Sequence, residues 1–153
     1  MGFKNGTDGG IKVATDAIQA AIFETRGNQD CHVILRGGKQ PNYSAADIDA
    51  ACALLKAAGL REQVMVDVSH ANSSKQHARQ IVVAQDVAAQ IAAGDARITG
   101  LMIESHLNEG RQDIVDGKPL QHGVSVTDAC INWAQTVPVL ETLAAAVRER
   151  RAK

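Results

Sequence analysis

Aromatic side chains are scarce in this sequence: two Phe, one Tyr and one Trp among 153 residues. Its core must therefore be aliphatic, built from Ala, Val, Ile and Leu. No apolar run approaches the roughly 20 residues of a membrane span, and the first residues lack the charged-then-apolar form of a signal peptide. The net charge of −1 gives no electrostatic reason to expect nucleic acid or an anionic membrane as a partner. Three cysteines (Cys31, Cys52 and Cys130) are an odd number at wide spacings without a CxxC pair. They suit reduced thiols in a cytoplasm better than a disulfide framework. No Pro/Gly/Ser linker or low-complexity tract divides the chain, so a single domain over residues 1–153 is expected.

What is present is a repeated order. Three apolar runs, Cys31–Leu35, Gln63–Val68 and Ile98–Ile103, are rich in β-branched residues and nearly continuous. Such runs predict strands covered on both faces, as in a parallel sheet. Helical patterns follow over Ser44–Ala58, opened by a Ser44/Asp47 capping box and stopped at Gly59, and over Ser74–Ala93, stopped at Gly94. A shorter helix is expected over Ile11–Ile22, and a last one over Pro138–Arg151 with Pro138 in its first turn. The β-then-α order implies right-handed crossovers in an α/β fold. One unit further back, only the stub Gly2-Phe3-Lys4 remains of a strand.

Every expected strand ends in chemistry: "FKNGTDGG", "LRGGKQPNYS", "DVSHANSSK" and "IESHLNEG". In parallel α/β folds ligands bind at the carboxyl ends of strands. Lys4 and Arg36 sit beside glycines, where exposed backbone N–H groups and a cation suit an anion or phosphate. The plain alternatives are a solvated lysine and a surface salt bridge; Lys39 and Lys75 read as solvated charges. His70, Glu104 and Asp128 are a second set, of the kind that holds Mn, Fe, Co or Zn. Against that, His70 could be a hydrogen-bonded core histidine and Glu104 a surface acid. Asp128 could be half of an "SVTD" capping box with Ser125. His32, His106 and His122 read as structural or solvent-facing.

"GFKNGTDG", "CHVILRGGKQPNYS", "QVMVDVSHANSSK", "LMIESHLNEGRQD" and "GVSVTDACINW" together resemble the carboxyl-terminal half of class I 3-deoxy-D-arabino-heptulosonate 7-phosphate (DAHP) synthase. The resemblance runs over nearly the whole chain. It implies a (β/α)8 barrel of which this chain covers the last four βα units. The implied reaction condenses phosphoenolpyruvate with erythrose 4-phosphate, using a divalent metal, at the head of the shikimate pathway to aromatic amino acids. On the same resemblance Lys4 contacts phosphoenolpyruvate, Arg36 clamps its phosphate, and His70, Glu104 and Asp128 are three of four metal ligands. Lys4 and His70 are then the catalytic pair.

Departures accompany the match. The family's fourth ligand, a cysteine on the first barrel strand, has no counterpart here; nor have its Lys-Pro-Arg-Thr and Gly-Ala-Arg segments or its amino-terminal regulatory region. Relatives are expected to carry an extra stretch between Ala21 and Ile22. A sheet of four βα units has open edges, which predicts self-association or pairing with the missing half. The alternative to turnover is a half-barrel that binds metal or phosphoenolpyruvate without catalysis.

Overall fold

The computed structural model describes residues 10–11, 22–24, 26–28, 30–119 and 121–153. They fall into two units, Met1–His32 and Val33–Lys153. In the first, β1 (Gly10–Ile11) pairs antiparallel with β2 (Ile22–Phe23). The two ends of the expected first helix are thus extended; its interior, and the stub carrying Lys4, lie outside the described residues.

The second unit runs β3 (Val33–Leu35), α1 (Ala45–Ala57), β4 (Val64–Asp67), α2 (Arg79–Ala93) and β5 (Ile98–Met102). Four two-residue strands follow: β6 (Ser105–His106), β7 (Ile114–Val115), β8 (Lys118–Pro119) and β9 (Ile131–Asn132). The helix α3 (Trp133–Arg151) closes the chain. β3, β4 and β5 form a parallel sheet in sequence order, as the repeated β-then-α pattern requires. β6 pairs parallel with β9, and β7 with β8 forms a small antiparallel ladder.

Val64, Val66 and Val68 are fully buried. They meet Ile48 and Cys52 of α1, Val83, Val87 and Ile91 of α2, and Val139 of α3 in one aliphatic cluster. Truncating a residue as enclosed as Ile48 to Ala costs about 2–5 kcal/mol. The register places Leu35 opposite Val66, and Asp67 opposite Met102. Arg36, Asp67 and Glu104 therefore leave the sheet at the same end.

Two of the three helix starts among the described residues follow local capping. Ser44 caps α1 in the expected box with Asp47. α2 begins at Arg79 rather than near Ser74, because Ser74 and Lys75 take φ of 55° and 60° and cannot continue a helix. α3 begins at Trp133, five residues before Pro138, because Asn132 and Gln135 form a capping box of their own. Pro138 is accommodated inside that helix.

Candidate metal centre

Strand β4 ends on a carboxylate. Asp67 is 1 % exposed, and its Oδ1 accepts from the Ser69 backbone N–H at 2.8 Å. A buried carboxylate needs partners, and the other oxygen, Oδ2, has two nitrogen neighbours. His70 Nδ1 lies 2.8 Å away and Arg36 Nε 3.8 Å away. Neither donor is aligned to give Oδ2 a directed hydrogen bond.

The loop after Asp67 is held by Asn72, which is fully buried. Its amide donates to Leu35 O (3.1 Å) and Asp67 O (2.7 Å) and accepts from Asn42 N (2.8 Å). One side chain thus fastens the ends of β3 and β4 together. Gly37, at φ 76°, passes so close that a Cβ there would stand 2.7 Å from the Ala71 Cβ and 3.0 Å from Asn72 N. That close approach, together with the positive φ, explains the glycine after Arg36.

His70 sits on this loop at φ 49°, an uncommon conformation for a residue with a side chain. Its Nδ1 is 2.7 Å from Ser69 Oγ, besides the Asp67 carboxylate. A carboxylate at Nδ1 favours the proton there and leaves the Nε2 lone pair free. Nε2 faces Glu104 Oε1 at 3.5 Å and Asp128 Oδ2 at 3.9 Å. The three ligand atoms lie within 4.8 Å of one another. One imidazole and two carboxylates at that spacing fit a divalent first-row metal.

Glu104 follows β5, and its backbone is tied on both sides. Its N–H donates to Gln80 Oε1 (2.8 Å), and its carbonyl accepts from Gln80 Nε2 (3.0 Å) and Ile131 N (3.0 Å). Asp128 belongs to a loop rather than to a helix start: Ser125 Oγ accepts from Thr127 N at 3.2 Å. The acid's side chain is 70 % exposed. Burial pushes the Cys130 thiol up from its usual range, while a hydrogen bond with Ser125 opposes the shift. The thiol's Sγ lies 3.5 Å from Asp128 O.

The structure brings together His70, Glu104 and Asp128, with Arg36 one carboxylate away. Lys4 lies outside the described residues. Lys39, Lys75, His32, His106 and His122 are exposed. Asp67, Asn72 and Gln80 complete the site beyond the residues the sequence points to. Asp67 carried a readable signal, an acid closing a buried strand; Gln80, on a helix, carried none.

A sequence model of the DAHP synthetase I family matches residues 1–141. Phospho-2-dehydro-3-deoxyheptonate aldolase of Haemophilus influenzae is 52 % identical over 99 % of this chain and 46 % of its own length. The Phe-sensitive enzyme of that name from Escherichia coli is 53 % identical over 99 % of this chain and 48 % of its own. A solved structure of the Francisella tularensis protein superposes with a TM-score of 0.83 at 46 % identity, covering 94 % of this chain and 41 % of that one. The chain thus spans about half the length of the curated relatives it matches. The first alignment is 168 positions long against 153 residues here, in keeping with relatives that carry extra residues. The fold of parallel α/β units agrees with these matches, and the chain belongs to the DAHP synthetase I family.

Proposed function

We propose that this chain carries the carboxyl-terminal half of a (β/α)8 barrel that makes DAHP at the entry to the shikimate pathway. Phosphoenolpyruvate, erythrose 4-phosphate and water would give DAHP and inorganic phosphate. The observation that carries the reading is the convergence of His70, Glu104 and Asp128 within 4.8 Å at the strand ends.

His70 Nε2 and the two carboxylates would hold Mn, Fe, Co or Zn, which when bound supplies Lewis-acid polarisation of the aldehyde oxygen. The Asp67 carboxylate, 2.8 Å from Nδ1, would favour the proton there and leave Nε2 available. Arg36, 56 % exposed at the end of β3, offers its guanidinium to the phosphate of phosphoenolpyruvate. Lys4 is assigned to the same substrate on the family resemblance. Holding the alkene carbon of phosphoenolpyruvate against the aldehyde is a proximity effect. The new carbon–carbon bond leaves cationic character at C2, water adds there, and the phosphate departs.

Association is part of the proposal. Among the described residues β5 is an edge of the three-stranded sheet. Beside it Ile98, Leu101, Ile103, Leu140, Leu143 and Val147 line an apolar groove against α3. A second copy or the other half of the barrel would cover it. No helix among the described residues is long and apolar enough to cross a membrane, and a cytoplasmic biosynthetic role is proposed.

A second reading, in which the chain binds metal or phosphoenolpyruvate without turnover, draws support from its covering about half of the relatives' length. Phosphoenolpyruvate consumption by the purified chain with erythrose 4-phosphate and Mn²⁺ separates the two. Consumption lost both with EDTA and in His70→Ala is the result expected for catalysis. Binding of Mn²⁺ or phosphoenolpyruvate without consumption favours the second reading, and a folded chain that binds neither contradicts both.

A further inference from the structure

We propose that Gln80 is a positioning residue for the metal centre, setting Glu104 against His70. The inference rests on the metal reading proposed above.

Gln80 is the second residue of α2 and is 1 % exposed. Its amide makes a reciprocal pair with one residue: Oε1 accepts from Glu104 N (2.8 Å) while Nε2 donates to Glu104 O (3.0 Å). This is the pattern a neighbouring strand would offer, supplied by a side chain from a helix. It is also demanding. Only a primary amide of this length presents a donor and an acceptor side by side, so neither an acid nor an apolar isostere can reproduce it.

The location gives the pair its meaning. The loop from His70 leads directly into α2, so Gln80 connects the segment bearing the first ligand to the segment bearing the second. The same Glu104 carbonyl accepts from Ile131 N at 3.0 Å, three residues beyond Asp128. All three ligand-bearing segments therefore meet at the backbone of Glu104. Its carboxylate can face His70 Nε2 at 3.5 Å because the chain is fixed one bond away from its Cα on both sides. Gln80 touches none of the ligand atoms; it acts through Glu104.

The test compares Mn²⁺ affinity, read by electron paramagnetic resonance, in the full chain and in Gln80→Met, Gln80→Glu, His70→Ala and Val83→Ala. The visible spectrum of bound Co²⁺ reports the geometry. Val83 is equally buried one turn further along α2. Its truncation lowers stability without touching Glu104. Affinity is measured where circular dichroism shows each variant folded. The expected result is a weakening of about 10–100-fold in both Gln80 variants, with an altered Co²⁺ spectrum, and unchanged affinity in Val83→Ala. Gln80→Glu retains an acceptor for Glu104 N–H and carries the test should Gln80→Met not fold. Unchanged affinity and spectrum in a folded Gln80 variant overturn the inference alone. A wild-type chain without a Mn²⁺ site sensitive to His70→Ala overturns the metal reading and this inference with it.

Discussion

The two ends of β5 use the same kinds of residue in opposite ways. Before the strand, Arg97 donates to both oxygens of Asp95, at 3.0 and 2.7 Å, and reaches Asp49 at 2.7 Å. Arg150 donates to Asp95 O and Lys153 to Ala92 O, at 3.0 and 2.6 Å. Each of these cations finds an acid or a carbonyl oxygen. After the strand, two carboxylates and one imidazole converge, a buried acid lies behind them, and His70 adopts φ 49°. Carboxylates repel one another, so folding alone gives no reason to bring Glu104 and Asp128 together; a divalent cation does. On the proposed reading, one end holds the protein together and the other holds a metal ion.

The sharpest way to break this contrast is His70→Ala. Removing the only imidazole of the trio should weaken Mn²⁺ binding by more than about 100-fold while leaving the circular dichroism spectrum in place, since outer residues alone cost 10–100-fold. Asn72→Ala comes next. It strips three hydrogen bonds from a fully buried site and should cost about 3 kcal/mol in urea unfolding. At the other end, Asp95→Asn should cost about 1 kcal/mol at neutral pH, a modest figure because Arg97 is partly exposed. The hydrogen bonds from the Arg97 side chain, first among the causes, hold the Asp95 carboxyl below its ordinary range. Its contribution is therefore complete above about pH 4, the unfolded value, and is lost as pH falls through the folded one. Unfolding curves at neutral and acid pH should differ less in Asp95→Asn than in the wild type. The smallest effect has the opposite sign. Asp128→Asn relieves repulsion with Glu104 and should leave metal-free stability unchanged or raised by about 0.5 kcal/mol at most, while weakening Mn²⁺ binding. Loss of stability in Asp128→Asn comparable to that in Asp95→Asn would erase the distinction between the two ends.

What could be read from sequence had a local cause. The strands around Ile34, Val66 and Leu101 show as apolar runs, although only β4 is covered along its length and Val33, Ile34 and Met102 keep exposed side chains; the Ser44/Asp47 box marks the start of α1. Apolar periodicity puts the start of α2 five residues early because it does not register the positive φ of Ser74 and Lys75. Pro138 suggests a start for α3, yet Asn132 and Gln135 carry the spacing of the capping box that sets it. His70 and Glu104 are legible because each follows an apolar run that marks a strand; Asp128 lies before β9, which no such run marks, and joins them through the family resemblance. Asp67 could have been found by asking where an acid inside "VMVDV" finds its partners. Gln80 could not, since its bonds to Glu104 span 24 positions and exist only once α2 has packed on the sheet.

The central claim is that these three side chains form one metal site. A crystal of the chain grown with Mn²⁺, with data collected for anomalous scattering, tests it most directly. The expected result is a peak within about 2.5 Å of His70 Nε2, Glu104 Oε1 and Asp128 Oδ2 together. An ordered site lacking that peak, or a Mn²⁺ ion bound only to other residues, would contradict it.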